Sequence, residues 1–133
     1  MRRTVMLLTL SCLVLGASAG GAFAAAKAGT YAGKTAQKRA VRLKVSATQV
    51  KLMNFTIELK CGDGSSLVDV ESDFEPSALR GGKFKDVQFG STDTVRFSGK
   101  VAGSKATGTL KVTDKVGKVS CHSPTVKFTA HRK

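Results

Sequence analysis

The chain is built from short segments in which apolar and polar residues alternate, separated by clusters of Gly, Ser, Asp and Asn. Val41, Leu43 and Val45, for example, alternate with polar or charged neighbours. A period of two places successive side chains on opposite faces of a strand. Few windows beyond the N-terminal region keep the spacing of three and four that an amphipathic helix requires. The pattern therefore predicts an all-β fold.

About eight strands are predicted, with mostly short connections between them. They cover residues 29–35, 41–45, 50–61, 68–71, 84–89, 95–99, 106–113 and 126–130. Short connections favour antiparallel pairing of sequence neighbours, so we expect a single antiparallel meander that forms either a small barrel or a sandwich. The alternation changes phase at Met53-Asn54, where an extra residue predicts a β-bulge, and again near Lys85-Asp86.

The aromatic residues are predicted to lie mostly inside the fold. Five phenylalanines are in phase with core positions, namely Phe55, Phe84, Phe89, Phe97 and Phe128. Tyr31 is the one aromatic residue that we expect at the surface. A core filled in this way argues against a barrel that carries a small apolar ligand, although such a carrier stays one of the alternatives.

Residues 1–24 have the layout of a secretory signal peptide. A short positive start that includes Arg2 and Arg3 precedes an apolar run from Val5 to Leu15, and Ala22-Phe23-Ala24 has the small residues of a cleavage site. The apolar run of about 11 residues is shorter than the roughly 20 that span a membrane. We therefore expect residues 25–133 to form a single β-domain that is secreted, either extracellular or in the cell envelope, without a transmembrane segment.

Cleavage would remove Cys12 and leave Cys61 and Cys121. An even pair of cysteines in an oxidising compartment predicts a disulfide. The alternative is a pair of free or metal-bound thiolates, for which the absence of a CxxC motif is unfavourable. A Cys61–Cys121 bridge would stabilise the folded state by about 4 kcal/mol, because closing the loop between the two cysteines lowers the entropy of the unfolded chain.

Three stretches of the chain resemble those of small exported all-β proteins of bacteria. They are the opening run from Gly29 to Thr35 (GTYAGKT), the Cys61 at a strand end, and the closing run from Cys121 to Arg132 (CHSPTVKFTAHR). The resemblance covers nearly all of the chain after the leader. It implies the β-fold and the disulfide, and it supplies no activity and no catalytic residue.

No arrangement of residues indicates catalysis. His122 and His131 are the only histidines, and His122 is placed to act as a base only if its neighbour Cys121 remains a free thiolate. After the predicted leader, the sequence has no GxSxG, HExxH or nucleotide-binding glycine motif. We expect a protein that is not an enzyme and has no cofactor.

One acidic cluster offers oxygen ligands for a cation such as Ca²⁺. Asp69, Glu71 and Asp73 share one face of a predicted strand, opposite the valines between them, and Glu75 follows. The cluster lacks the loop spacing and central glycine of a dedicated calcium site. We therefore predict a solvated acidic strand face paired with nearby lysines, and no metal site.

The basic charge is the one compositional feature that indicates a function. Loss of Arg2 and Arg3 with the leader leaves 20 basic against 9 acidic residues, a net charge of +11. Such a domain attracts polyanions. The candidate anion-binding residues, all at outward strand positions, are Arg42, Lys44, Arg96, Lys111 and Lys127. Lys83, Lys85 and Lys100 are among the residues expected to add charge at turns and ends.

We therefore expect a monomeric, non-enzymatic exported β-domain that binds an anionic polymer or lipid surface. Sequence-specific nucleic-acid recognition is not expected, because single-strand binders expose aromatic residues. Three alternatives stay open. In the first, the lysines serve only solubility and the protection of strand edges. In the second, the protein is a structural or protein-binding module, for example a secreted inhibitor, that uses the loop from Glu75 to Gly82. The third is the ligand carrier.

Overall fold

The computed structural model describes residues 24–133, so the predicted leader lies outside the described residues except for Ala24. Residues 24–133 form ten strands and no helix. The strands are β1 (Gly29–Thr35), β2 (Ala40–Val45), β3 (Gln49–Cys61), β4 (Ser66–Ser72), β5 (Ser77–Ala78), β6 (Lys83–Phe89), β7 (Asp93–Ala102), β8 (Lys105–Val116), β9 (Val119–His122) and β10 (Val126–Arg132). The all-β prediction is confirmed.

Six of the strands close into an antiparallel barrel in the order β1, β2, β3, β9, β8 and β10. Closure depends on β10, which pairs with β8 along one edge and with β1 along the other. The N-terminal and C-terminal strands are therefore neighbours. Of the two predicted architectures, the barrel is the one that forms, because β9 and β10 carry the end of the chain back to β3 and β1.

The remaining strands extend the sheet beyond the barrel. β4 and β5 pair with β3, whereas β7 pairs with β8 and carries β6 on its far edge. The length of β3 permits two different partners on each edge. On the edge shared by β2 and β9, the Gln37 side chain fills the gap between them. Its Nε2 donates to Glu58 O at 3.2 Å and its Oε1 accepts from Glu58 N at 2.8 Å.

The predicted β-bulge lies where the sequence placed it. The β2–β3 register runs from Arg42 opposite Asn54 to Leu43 opposite Leu52, so Met53 is the extra residue. The phase change predicted near Lys85-Asp86 is wrong, because β6 pairs with β7 in unbroken register from Lys83 to Phe89.

One contiguous cluster of buried side chains fills the interior. Phe55, Phe84, Phe97 and Phe128 lie in it as predicted, but Phe89 does not, since 76% of it is exposed. The unbroken register of β6 explains this difference, because residues 84 and 89 are an odd number of positions apart and must face opposite sides. Phe74, which follows β4, takes a core position instead and stacks on Phe55 at 5.6 Å between ring centroids.

Tyr31 is fully buried, so its predicted surface position is wrong. Its hydroxyl oxygen lies 2.6 Å from Lys27 O and 2.9 Å from Gly103 O, which satisfies the polar end of the ring inside the protein. Burial raises the pKa of the Tyr31 hydroxyl, against the opposing effects of the Arg132 charge and the hydrogen bond to Lys27. The tyrosine thereby ties the segment before β1 to the β7–β8 turn.

The predicted disulfide is present. Cys61 at the end of β3 lies opposite Cys121 on β9, and the two are bonded. The alternative of free or metal-bound thiolates is thus excluded. Residues 24–133 contain no helix with the length and apolar character needed to cross a membrane.

Candidate anion-binding face

The outward side of β6, β7, β8 and β10 carries a set of exposed cations that we call the cationic face. Its members are Lys83, Lys85, Arg96, Lys100, Lys111 and Lys127. The registers place them in rows across the strands, because opposed residues of antiparallel strands point to the same side. The rows are Lys83–Lys100–Thr107–Thr129, Lys85–Ser98–Thr109–Lys127 and Val87–Arg96–Lys111.

Three of the five residues predicted to bind anions come together on this face. Arg96 lies directly opposite Lys111, and Lys127 lies opposite Thr109 on the next strand. Arg42 and Lys44 are on β2, separated from β10 by β1, and Lys44 lies opposite Lys51 of β3. These two are exposed, as predicted, but they belong to a different part of the barrel wall.

Sequence reasoning missed Lys83, Lys85 and Lys100 as members of a common face. They were assigned to turns and ends, whereas the structure places them within β6 and β7. The run Lys83-Phe84-Lys85 contains the alternation that identifies a strand with outward lysines. The register that sets Lys83 against Lys100 has no signal in the sequence.

No carboxylate lies among the rows of the cationic face. The nine Asp and Glu residues all fall within the described part of the chain, and in residues 24–133 only Glu58 forms ion pairs, with Arg39 at 3.5 Å and with Lys60 at 3.6 Å. Asp86 of β6 points to the opposite side, where it accepts a hydrogen bond from Ser77 Oγ at 2.6 Å. The cations of the face therefore have no protein counter-charge beside them.

A groove of about 750 Å³ lies at the edge of the cationic face where β6 joins β7. Four cations line it, namely Arg80, Lys83, Lys85 and Lys100, together with Ser98, Thr107 and Thr109. Ser98 Oγ and Thr109 Oγ1 share a hydrogen bond at 3.2 Å. The groove thus combines positive charge with hydroxyl groups that donate or accept.

Two glycines in register form part of the groove lining. Gly99 of β7 lies opposite Gly108 of β8. A Cβ on Gly99 would lie 2.7 Å from the Phe84 ring, and one on Gly108 would lie 2.8 Å from the Phe128 ring. The carbonyl oxygens of Thr107 and Ser98 on the neighbouring strands would be closer still, so both positions need glycine because backbone and core rings leave no room for a Cβ.

The acidic cluster on β4 does not form the solvated face that the sequence predicted. Val68 and Val70 are 50% and 64% exposed, whereas Glu71 is only 7% exposed and its Oε1 has no hydrogen-bond partner. Burial raises the pKa of Glu71 to about 9, with further contributions from hydrogen bonding to Asp93 and Asp69 and from their negative charges. The prediction for β4 is therefore wrong, because its acidic residues face the interior and its valines face the solvent.

The remaining polar residues do not assemble into a catalytic or metal site. Within residues 24–133, no group of three or more His, Cys, Asp or Glu side chains is arranged to hold a metal ion. His122 and His131 are both exposed, and the sulfur beside His122 is bonded in the disulfide. The arrangement of a base beside a free thiolate is therefore absent here.

The loop from Glu75 to Gly82 is held against β6 along its length. Glu75 N donates to Gln88 Oε1 at 2.8 Å, and Gln88 Nε2 donates back to Glu75 O at 2.8 Å. Residues 77 and 78 form the short strand β5. Burial acts to raise the pKa of Asp86, but hydrogen bonds from Ser77, Gln88 and the Val87 amide together outweigh it, so the pKa is lowered. These hydrogen bonds hold Asp86 at the centre of the contact between the loop and β6.

Comparisons of the chain with models of protein families, with curated proteins and with solved structures find no significant match.

Proposed function

We propose that this protein is an exported, non-enzymatic β-domain that binds an anionic partner at or outside the cell surface through its cationic face. The observation that carries the proposal is the grouping of six exposed cations on four adjacent strands with no carboxylate among them. The export part of the proposal rests on the predicted leader and on the disulfide.

The spacing of the charges supports a common field on this side of the molecule. Opposed side chains of neighbouring strands lie about 5 Å apart, and alternate residues of one strand lie about 7 Å apart. Both distances are within the screening length of about 8 Å at physiological ionic strength. Neighbouring cations of the face therefore act together on an approaching anion. Lysines scattered over opposite sides of the protein would not combine their fields in this way.

Retention on a heparin column tests the proposal. The disulfide-bonded protein is loaded at about 0.15 M salt, where non-specific surface attraction is already weakened. We expect retention and elution at higher salt, and earlier elution of Arg96→Gln/Lys111→Gln than of Lys44→Gln/Lys51→Gln, an opposed pair on β2 and β3 with the same charge change. Elution of the unmodified protein in the flow-through would contradict the proposal.

A second candidate is a protein-binding module, favoured by the exposed apolar side chains. Val68, Val70, Phe89 and Val116 are the large hydrophobic residues of the described chain that remain exposed. Contact through such side chains is insensitive to salt, because it removes apolar surface from water rather than pairing charges. A tight complex whose affinity is unchanged between low and high salt would favour this candidate over the cationic face.

A further inference from the structure

A tight turn brings a third cation into line with two lysines of the cationic face. Arg80 and Lys83 exchange backbone hydrogen bonds of 2.9 and 3.0 Å around Gly81 and Gly82, whose φ angles are 57° and 73°. Positive φ at both central residues defines a turn that glycine adopts without strain. Because Lys83 also lies opposite Lys100, the turn creates a lateral row of Arg80, Lys83 and Lys100.

This row carries an electrostatic cost that the protein itself does not relieve. Like charges that lie directly opposite one another across strands are destabilising. Within the described residues, the ion pairs engage Arg39 and Lys60 with Glu58 and leave the row without an acidic neighbour. No Asp or Glu lines the groove into which the row projects. In the free protein, water and dissolved ions screen these exposed charges, and a bound anion would replace that screening.

The donors around the row suit a tetrahedral oxyanion. Arg80 offers a planar guanidinium that binds two oxygens of a phosphate, and the lysines act as mobile point charges. The hydroxyls of Ser98, Thr107 and Thr109 line the same groove and can donate to the remaining oxygens. Each internal phosphate of a linear polymer keeps two non-bridging oxygens that share one negative charge. These match the two parallel donors of the guanidinium and leave the lysines and hydroxyls to contact the next groups along the polymer.

A second cationic pair lies farther along the same face. Arg96 and Lys111 are opposed to each other, four residues along β7 from Lys100. At about 3.3 Å per residue, this pair is about 13 Å from the row. Two separated clusters, joined by the Ser98–Thr109 hydroxyl pair, match a linear ligand that presents one anionic group to each cluster.

We infer that the groove of Arg80, Lys83, Lys85 and Lys100 is a binding site for a linear phosphate polymer, with one phosphate on the Arg80–Lys83–Lys100 row and a later one at Arg96–Lys111. This inference rests on the proposed function and names its ligand class. Phe84, the aromatic residue that lines the groove, is 3% exposed and offers no surface for stacking a nucleobase. The exposed Phe89 lies outside the groove, one row beyond Arg96–Lys111 on the same side of β6, so the oligonucleotide titration below tests whether a base stacks there.

A membrane surface is a poorer match to the groove. The large exposed hydrophobic residues that would enter a lipid interface lie on β4 and at the far ends of β6 and β8. The groove is lined by cations and hydroxyls, with Ala78, the nearly buried Phe84 and two glycines between them, and by none of the large exposed hydrophobic residues. The groove contains one of the two charge clusters, and the Arg96–Lys111 pair lies beyond it on the same side of the sheet. The two clusters therefore follow a line, which a polymer chain matches better than a layer of headgroups does.

The test is a calorimetric titration of the disulfide-bonded protein with linear inorganic polyphosphate at about 0.15 M salt. Lys83→Gln/Lys100→Gln removes two opposed charges from the groove. Lys44→Gln/Lys51→Gln removes two opposed charges from β2 and β3, outside it. We expect the groove variant to raise Kd about tenfold or more and to lower the slope of log K against log salt by about 1.4, with the control changing Kd less than about threefold.

The possible outcomes separate the inference from the proposed function. Equal weakening by both variants, or heparin retention without polyphosphate binding, would overturn the groove and leave the proposed function standing. Failure of the unmodified protein to bind either polyanion would overturn both. A lower Kd for anionic phospholipid vesicles or for a single-stranded oligonucleotide, at equal phosphate concentration, would overturn the assignment to a base-free polymer. Matching thermal unfolding curves establish that the variants are folded, and Arg80→Gln provides a third, single-charge test.

Discussion

Replacement of Glu71 by glutamine is expected to stabilise the protein at neutral pH. The Glu71 carboxyl is buried beside Asp69 of its own strand and Asp93 of β7, and the pKa of Glu71 is about 9 against an ordinary value of 4.5. The folded state therefore keeps the proton that the unfolded chain releases above pH 4.5. This contribution to stability is complete below pH 4.5 and is lost progressively as pH rises towards 9.

The size of the effect follows from the shift. Each pH unit above 4.5 costs about 1.4 kcal/mol, so the loss at pH 7 is at most about 3.5 kcal/mol. Movement of the neighbouring carboxyls and entry of water reduce that bound, and we expect a gain of about 1 to 2 kcal/mol for Glu71→Gln at pH 7. Glutamine suits the site, because its amide can donate to both Asp69 and Asp93.

Urea unfolding at pH 5 and pH 8 provides the measurement. The difference in unfolding free energy between Glu71→Gln and the unmodified protein should grow by at least about 1 kcal/mol between these pH values. The comparison cancels the titration of groups that the two proteins share. Glu75→Gln, an exposed glutamate whose contacts to Gln88 use only backbone atoms, should show no such growth. A difference that is constant with pH, or a variant that is less stable at pH 8, would refute the reasoning.

Two further predictions concern the crosslink and the buried tyrosine. Replacement of Cys61 and Cys121 by serine should lower the unfolding free energy by about 4 kcal/mol, since the bond closes a loop of 60 residues; a urea midpoint unaffected by reductant would contradict this. Tyr31→Phe should cost about 1 to 2 kcal/mol, because Lys27 O and Gly103 O lose the hydroxyl that lies between them. Thermal unfolding measures this loss, and an unchanged midpoint would mean that the hydroxyl adds nothing.

The alternation of apolar and polar residues was sufficient to predict strands whose two faces have different environments. Val41, Leu43 and Val45 are all buried on β2, and the residues between them are exposed. The bulge at Met53 was also predictable, because an extra residue changes the phase within one long strand. In both cases the signal is local, since the residues that carry it belong to a single segment.

The orientation of β4 depends on its partner and was therefore predicted wrongly. In the β3–β4 hairpin, Glu71 lies opposite Phe55 and Asp69 lies opposite Ile57. Directly opposed residues share a face, so burial of the apolar side of β3 carries the acidic residues of β4 inward and turns its two valines outward. Burial of three large apolar residues of β3, at positions 55, 57 and 59, removes more apolar surface from water than burial of two valines would. A pattern read along β4 alone contains no information about this register.

The unbroken register of β6 explains how the cationic face comes to lack a carboxylate. A phase change at Lys85-Asp86 would have turned Phe89 inward and Asp86 outward. The Asp86 carboxylate would then have lain beside Lys85 on the cationic face. Without that phase change, Asp86 points inward and is held by Ser77, while Phe89 remains 76% exposed. The regular strand thus leaves an aromatic side chain in water and keeps a negative charge away from the lysines. The unbroken register of β6, which made the prediction for Phe89 wrong, is therefore also the reason why the proposed binding face carries only positive charges.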